Sequence, residues 1–256
     1  MEPKIFLYDI ETAPLKAYTW SLWDEVRSTE KVVEDWQILT WAGKWLGERD
    51  VYFDANIYHG DGTSDTETVT TLHQCIDEAD IVVAHNGNKF DIKRMNARFL
   101  AAGLGPPSPY RKIDTLVEAR KNFAMTSNRL DDLGDFLGVG RKKSTGGFKL
   151  WVECLEGNPK SFEKMIKYNQ QDVRLLEKVY LKLRPWMNNH PNLGVFNEDG
   201  RDTCPKCGSH NIQWRGYAVT QAARYRRFQC NSCGGWGRSR MLDKDLDRAG
   251  VMTNVN

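Results

Sequence analysis

The first apolar segment of the chain carries two acidic residues at its end, and this combination strongly constrains the fold. The segment runs from Ile5 to Thr12, with Asp9 and Glu11 separated by one isoleucine. Alternate side chains of a β-strand share a face, so the two carboxylates are expected to lie side by side. Carboxylates that repel each other and lose solvation need a counter-charge, and a divalent cation commonly supplies it. The alternative is an exposed strand end that is merely acidic.

Segments of strand and helix character alternate along the first 187 residues. Strands are predicted at 37–45, 51–58 and 81–84, and helices at 67–79 and from about 89 to 102. This order predicts an α/β layer fold. A further helical stretch is predicted to open at Ile113–Leu116 with Asp114 as its N-cap, followed by a short helix at 130–137 and a long one from Pro159 to Leu183. Cys75 and Cys154 fall within apolar patterns and are predicted to be core residues.

Two further acids lie where the predicted elements begin or meet the core. Tyr168 and Asp172 share one stripe of the long helix, at the border of its apolar face, and Asn169 lies inside that face. Asp91 falls in the first turn of the helix that follows the strand at 81–84. Local alternatives exist for both acids, since Asp172 can pair nearby and the helix dipole favours an acid at position 91 in any case. Convergence of the four acids at one side of a sheet favours a metal site.

Three motifs in this order resemble those of the DEDDy branch of the DnaQ-like 3′–5′ exonucleases. They are Asp9-Ile10-Glu11-Thr12, Asn86 followed by Phe90-Asp91, and Tyr168 followed by Asp172. The resemblance covers about residues 3–185 and extends in particular to the proofreading domain of family-B DNA polymerases. It implies an RNase-H-like mixed sheet flanked by helices. The sister branch has a histidine five residues before the last acid, where this chain has Lys167.

The resemblance implies a two-metal site that hydrolyses phosphodiester bonds from a 3′ end. The catalytic residues that it implies are Asp9, Glu11, Asp91, Tyr168 and Asp172. Asp9, Glu11 and Asp172 would bind one Mg²⁺ or Mn²⁺, while Asp9 and Asp91 would hold the second. Tyr168 would orient the attacking water.

The expected substrate is DNA with single-stranded or frayed 3′ ends, which Asn86 and Phe90 are expected to contact. One alternative is an RNase, or an RNA-processing exonuclease, with the same site. An alternative of another class is a non-catalytic adaptor that binds nucleic acid or a replication protein. Retention of all four acids and Tyr168 argues against the adaptor.

Aromatic and basic residues outside the motifs have two interpretations each. Trp20 and Trp23 can stack on terminal bases, although buried structural tryptophans are the favoured interpretation. Lys142, Lys143 and Lys149 flank a glycine-rich loop and can meet phosphate or remain solvated.

Four cysteines near the C-terminus form two C-x-x-C pairs separated by 22 residues, and each pair is followed by glycine. They are Cys204, Cys207, Cys230 and Cys233. This spacing predicts a zinc ribbon with one structural Zn²⁺, in which four thiolates leave no open catalytic position. Disulfides are the less favoured alternative because no secretory feature is present.

The cysteine-bearing segment is also strongly basic. Residues 203–242 contain seven basic and no acidic residues, whereas the whole chain has a net charge of only +2. Interleaved arginines and aromatic rings suit phosphate neutralisation and base stacking. The predicted contacts are Arg215, Arg224, Arg226, Arg227, Trp236 and Arg238. Solvated arginines on a protein-docking module are the alternative.

These patterns divide the chain into an exonuclease domain at 1–187, a linker at 188–202, the zinc ribbon at 203–242 and a tail at 243–256. Hydrophobic residues make up 40% of the sequence, enough for a real core. No apolar run approaches the ~20 residues of a membrane span, and no signal-peptide pattern is present. A cytoplasmic, nucleoid or nuclear protein is expected, with nucleic acid and a replication or repair protein as partners and no membrane association.

Overall fold

The computed structural model of the protein describes residues 2–21, 28–60, 64–142, 145–243 and 249–253. Two compact units are present. One comprises Lys4–Tyr180, and the other is built mainly from Leu181–Asn256. Within the described ranges, no helix has the length and apolar character needed to cross a membrane.

A five-stranded mixed sheet forms the centre of the first unit. Its strands are β1 (Ile5–Thr12), β4 (Ile38–Trp45), β5 (Tyr52–Ala55), β6 (Ile81–Ala84) and β7 (Arg111–Asp114). Their spatial order is β5-β4-β1-β6-β7. β1 runs antiparallel to β4 and parallel to β6, and β6 runs parallel to β7. A separate two-stranded ribbon joins β2 (Lys16–Ala17) to β3 (Val32–Glu34).

Six helices accompany the strands in the part of the chain that the structure describes. They are α1 (Thr66–Glu78), α2 (Asp91–Ala101), α3 (Thr115–Asn122), α4 (Leu130–Phe136), α5 (Lys149–Leu155) and α6 (Pro159–Leu183). Short 3₁₀ turns occur at Thr29–Lys31, Asn56–Tyr58, Arg184–Trp186 and Leu193–Phe196.

Helices cover both faces of the central sheet. Phe6, Tyr8 and Ile10 of β1 pack with apolar residues of α1 and α2 in one core. A second core, which contains Leu39 of β4, is completed by apolar residues of α5 and α6. Because side chains alternate along a strand, Asp9 and its neighbour Glu11 lie on the face opposite Ile10. The fold therefore carries the two acids on the side of the sheet where α6 packs.

A close approach between neighbouring strands makes glycine necessary at one position of β4. Gly43 lies opposite Tyr8 in the antiparallel pair. A Cβ atom on Gly43 would lie 2.0 Å from Cζ of the fully buried Phe6 ring. The ring of Phe6 also packs on Trp45, with centroids 4.7 Å apart. The missing side chain at 43 therefore gives the Phe6 ring its space in the core.

The second unit contains a small antiparallel sheet. Its strands are β8 (Ile212–Val219), β9 (Arg224–Cys230) and β10 (Trp236–Arg238), with β9 in the middle. Cys204, Phe228 and Cys230 form its buried core. Such a small core buries little apolar area, so a unit of this size usually needs a metal or disulfides.

The sequence predicted most of these elements. The α/β fold and the bounds of β1, β6 and α6 are confirmed, and Asp114 caps α3 by accepting from the amides of Leu116 and Val117. Cys154 is buried and Cys75 packs at the edge of the other core, also as predicted.

Two expectations were wrong, and the short elements β7 and α5 were missed. The strand predicted at 51–58 ends at Ala55, because a 3₁₀ turn follows it. The segment Ile113–Leu116 opens a helix as predicted, with α3 beginning at Thr115, but Ile113 and Asp114 also end the strand β7, which was not foreseen, and neither was α5. Trp20 lies in a segment, residues 18–21, that belongs to no helix or strand. Its side chain is 92% exposed, so it is not a buried structural tryptophan. Trp23 and Lys143 lie outside the described residues.

Candidate active site and cysteine cluster

Three carboxylates converge on one side of the central sheet. One oxygen each of Asp9, Glu11 and Asp172 lies within 4.8 Å of the others. Asp9 and Glu11 extend from β1, and Asp172 extends from the middle of α6 and is fully buried. The strand period places the first two together, and the packing of the apolar face of α6 brings in the third.

The pairing of β1 leaves room for a fourth acid. β6 pairs with β1 only over Ile5–Leu7, whereas β4 pairs along the strand to Thr12. Asp91, the first residue of α2, is buried beside the half of β1 that β6 does not cover. Its carboxyl accepts hydrogen bonds from the backbone amides of Ile10 and of Asp91 itself. Asp91 therefore completes the edge of β1 as well as adding a carboxylate.

Asn169 fixes the orientation of Asp9. Its side-chain amide donates to Oδ2 of Asp9 at 2.7 Å and to the backbone oxygen of Asp9 at 3.2 Å. An asparagine inside the apolar face of α6, where the sequence placed Asn169, needs such partners. Asn169 is fully buried, so its hydrogen bonds form away from water and hold α6 against β1.

The acids are crowded and poorly solvated, and their pKa values rise accordingly. Burial, followed by repulsion from Glu11 and Asp91, raises the pKa of Asp9 well above its usual range. Burial and the charge of Asp172 raise the pKa of Glu11 to about 8. Burial raises the pKa of Asp91 to about 7, against its hydrogen bonds to backbone amides. Such a cluster favours a bound positive charge.

Lys142 supplies one positive charge from the loop before α5. Its Nζ forms an ion pair with Oδ2 of Asp172 and donates to the hydroxyl of Tyr168 at 3.1 Å. Burial alone would lower the pKa of Lys142, but the carboxylates of Asp172 and Asp9 raise it. Sequence patterns left Lys142 as one of three loop lysines that meet phosphate or solvent. Its place among the acids depends on how the loop folds back, which no local pattern encodes.

The segment between β6 and α2 is held by Asp114 of the neighbouring strand. The two carboxylate oxygens of Asp114 accept from the amides of Asn86 and Asn88, at 2.9 and 3.1 Å. Asn86 has a φ of +67°, the left-handed conformation that asparagine tolerates better than most residues. Asp114 thereby links the end of β6 to the start of α3 and fixes the approach to Asp91.

Phe90 contacts the apolar core and an arginine. Its ring packs at the edge of the core beneath α2, and the guanidinium of Arg94 lies 4.6 Å from its centroid. The same guanidinium lies 4.6 Å from the ring of Trp36 and donates to the hydroxyl of Thr12 at 3.1 Å. A cavity of about 410 Å³ opens here and is also lined by Trp151. Arg94 was not singled out from the sequence, because an arginine on a helix is usually just solvated.

The structure brings Asp9, Glu11 and Asp172 together, with Asp91 and Tyr168 on the adjoining helices. Lys149 stays 82% exposed and pairs with Glu153 along α5. The predicted contact residues of the C-terminal segment lie on β8, β9 and β10 of the second unit.

Four cysteine sulfurs cluster in the second unit. The Sγ atoms of Cys204 and Cys233 are 3.8 Å apart, and those of Cys207 and Cys230 are 3.6 Å apart. These separations match the edges of a tetrahedron with metal–sulfur bonds of about 2.3 Å, and they far exceed a disulfide bond of about 2.05 Å. The cluster could therefore hold a metal ion.

Glycines shape the two turns that carry the cysteines. Gly208 and Gly234, which follow the two C-x-x-C pairs, have φ values of +74° and +77°. Their amides donate to the backbone oxygens of Cys204 and Cys230, both at 2.9 Å. These turns direct both sulfurs of each pair toward the centre of the cluster. The amide of Gly235 lies 3.4 Å from the sulfur of Cys233 and donates to it.

A mixed sheet covered by helices, with acids at the end of its first strand, defines an RNase-H-like class of domain. Residues 6–184 match a sequence model of the RNase_H superfamily, and the chain belongs to that family. Among solved structures, the fold is similar to the family B DNA polymerase from the hyperthermophilic archaeon Pyrobaculum calidifontis, with a TM-score of 0.53 and 18% sequence identity. The similarity covers 72% of this chain but only 25% of that polymerase chain. The comparison with curated proteins gave no match.

Proposed function

We propose that the chain is a two-metal 3′–5′ exonuclease of the DEDDy type that hydrolyses DNA at single-stranded or frayed 3′ ends. The convergence of Asp9, Glu11 and Asp172 on one side of an RNase-H-like sheet carries the proposal. The fold likeness to a DNA polymerase favours DNA over RNA as the substrate. In this proposal, residues 1–187 form the exonuclease domain, and residues 203–242 form a zinc ribbon that helps to bind nucleic acid.

The carboxylates fit hard divalent cations such as Mg²⁺ or Mn²⁺. Oδ1 of Asp172 is buried and has no hydrogen-bond partner among the described residues, so this oxygen is available as a ligand. Asp9, Glu11 and Asp172 would hold one ion, and Asp9 and Asp91 would hold the second. When bound, such ions polarise the phosphodiester and lower the pKa of water.

Tyr168 would position the attacking water through its hydroxyl. Burial and the charge of Asp172 raise the pKa of Tyr168, so the phenol stays protonated at neutral pH and can donate a hydrogen bond. Lys142 donates to the same hydroxyl. Among the described ion pairs, Lys142 is the basic side chain that reaches Asp172. Its ammonium group would therefore also offset negative charge on the phosphodiester.

The test is digestion of 5′-labelled single strands in the presence of Mg²⁺. Wild type should produce a ladder that shortens from the 3′ end. Asp9→Asn should reduce the rate at least about 100-fold, because a metal ligand contributes several kcal/mol to the transition state. Tyr168→Phe should reduce it about 100-fold through misplacement of the water.

Asp135→Asn is the matched control, since Asp135 is an exposed acid that pairs with Arg141. It should leave the rate within about twofold. A wild-type chain that gives no ladder with Mg²⁺ or Mn²⁺, or an Asp9→Asn chain that digests normally, would overturn the proposal. Parallel assays with DNA, RNA and DNA–RNA hybrid substrates decide whether the same site acts on RNA instead.

A further inference from the structure

The small sheet of the second unit presents two faces of different character. Alternation along β9 and β10 places the side chains of one face in a continuous group. This group, here called the stacking face, consists of Arg215, Tyr225, Arg227, Trp236 and Arg238. The register supports the grouping, because Arg238 lies opposite Arg227 and Trp236 lies opposite Gln229.

Guanidinium groups on this face lie against aromatic rings. The guanidinium carbon of Arg238 is 3.7 Å from the centroid of Tyr225. Those of Arg227 and Arg215 are 4.9 and 5.8 Å from the centroid of Trp236. Arg215 is held further by a hydrogen bond of 2.5 Å to Oε1 of Gln229. The arginines are thus arranged as flat cationic surfaces beside flat rings rather than as mobile solvated chains.

The charge of the stacking face is not balanced. Residues 203–242 contain no Asp or Glu. Within the described part of the chain, no carboxylate pairs with Arg215, Arg227 or Arg238. Trp236 remains 45% exposed, which leaves ring surface open to a ligand.

The opposite face also carries an arginine over a ring, with the guanidinium of Arg224 4.3 Å from the centroid of Tyr217, but it differs in packing on the core and in pairing with a carboxylate. Trp214 packs edge-on against the buried Phe228, with centroids 5.6 Å apart. Arg224 pairs with Asp243, with Nη2 and Oδ2 at 2.6 Å. Arg226 lies 4.2 Å from the ring of Trp214, over the core side of the sheet. This face therefore supports the fold and neutralises one of its own charges.

A cleft of about 420 Å³ extends the stacking face within the same unit. Tyr225, Trp236 and Arg238 line it, together with Lys206 and Arg240. The cleft has no acidic lining residue among those described. Aromatic walls with basic residues at the rim suit a planar base attached to a phosphate.

We infer that the stacking face and its cleft bind single-stranded nucleic acid without strong sequence preference. Bases stack on Trp236, Tyr225 and the guanidinium planes, while the arginines neutralise phosphates. The inference deepens the nucleic-acid role in the proposed function. It names the bound form, an unpaired strand, and the face that binds it. Duplexes keep their base faces covered and offer only phosphates to this surface.

The experiment measures binding of a labelled oligo-dT strand by fluorescence anisotropy to the full chain carrying Asp9→Asn, which prevents digestion in the proposed mechanism. Trp236→Leu should weaken binding about tenfold without changing the salt dependence, because stacking is uncharged. Arg215→Gln with Arg227→Gln should reduce the slope of log K against log salt by about 1.4, the value for two phosphate contacts on a single strand.

Arg201→Gln is the matched control, since it removes the same charge from the same unit outside the small sheet, where Arg201 pairs with Asp199. It should change the affinity by no more than about twofold. Zinc content and melting temperature of each variant show whether the unit still folds. Tighter binding of duplex than of single strand, equal losses from Arg201→Gln, or unchanged binding in a folded Trp236→Leu chain would each overturn the inference.

Failure of this inference and failure of the proposed function give different results. A chain that digests DNA but binds normally after Trp236→Leu loses only the inference. A chain that does not digest DNA but loses single-strand binding after Trp236→Leu loses only the exonuclease proposal.

Discussion

Individual side chains around the acids show what local sequence patterns can and cannot reveal. Asp9 and Glu11 follow from strand alternation, and Asp172 and Asn169 follow from the helical period, so their placement was predictable. Lys142 was not, because its partners Tyr168 and Asp172 lie on α6, far along the chain. Arg94 was missed for a similar reason: its partners Trp36 and Thr12 come from distant parts of the chain. Contacts within one element are encoded locally, whereas contacts between elements need the fold.

His85 makes the stability of the protein depend on pH. Its Nε2 donates to the backbone oxygen of Asn128 at 3.0 Å, so the neutral ring accepts from Thr115 at Nδ1, 2.9 Å away. Burial lowers the pKa of His85 from 6.5 to about 4. The unfolded chain binds the proton more readily between these values, so stability falls as the pH falls from about 6.5 to about 4.

The His85 contribution amounts to about 3 kcal/mol at most. His85→Gln should flatten the dependence of the unfolding free energy on pH in this window, as measured by urea denaturation at several pH values. His190 is a useful control because burial also lowers its pKa to about 4, and His190→Gln should leave the His85 part of the slope in place. An unchanged slope in His85→Gln would contradict the assignment of this pH dependence to His85.

The strands and helices of the first unit were predicted where their apolar patterns are long. β1 and α6 have such patterns and were found with the correct bounds. β7 has four residues, of which Arg111 and Lys112 are exposed, so only Ile113 and Asp114 carry a buried signal. The capping role of Asp114 was recognised, but the strand before it was too short to identify. Neighbouring strands supply the pairing that makes β7 a strand.

Because Phe6 of β1 packs against Gly43 of β4, any larger residue at position 43 is expected to destabilise the fold. Gly43→Ala should lower the unfolding free energy by about 1–3 kcal/mol, because the new methyl group overlaps the Phe6 ring in a closed core. Chemical denaturation monitored by circular dichroism measures the change.

The same two residues offer an internal control. Phe6→Leu in the Gly43→Ala background removes the overlapping ring atoms, so the two substitutions should be less destabilising together than the sum of the single changes. Additive effects would show that the overlap is not the cause.

The molecule as a whole combines two compact units with different sources of stability. The unit at Lys4–Tyr180 packs apolar residues on both faces of its sheet. In the C-terminal unit, the buried cluster beside the four sulfurs contains Cys204, Phe228 and Cys230, so a metal at these sulfurs would supply much of the folding free energy of the small sheet.

Metal removal should therefore affect the units unequally. Elemental analysis is expected to find about one Zn per chain, lost in Cys204→Ser but retained in Asp9→Asn. Chelation should abolish the folded signal of the C-terminal unit, while hydrogen exchange of β1 and β4 stays slow. A chain that is zinc-free when purified yet protected throughout β8 and β9 would contradict this expectation.

The hydrogen bond from Ile10 to Asp91 affects how genetic data on this protein should be read. Asp91 accepts an amide of β1 in addition to contributing a buried acid. An alanine allele at 91 therefore leaves a backbone donor unsatisfied and removes a charge at the same time. If that allele abolishes function, either a misfolded protein or the loss of the acid itself would explain the result. Protein abundance must therefore be measured alongside the phenotype. An asparagine allele, which keeps an acceptor oxygen, separates the two causes.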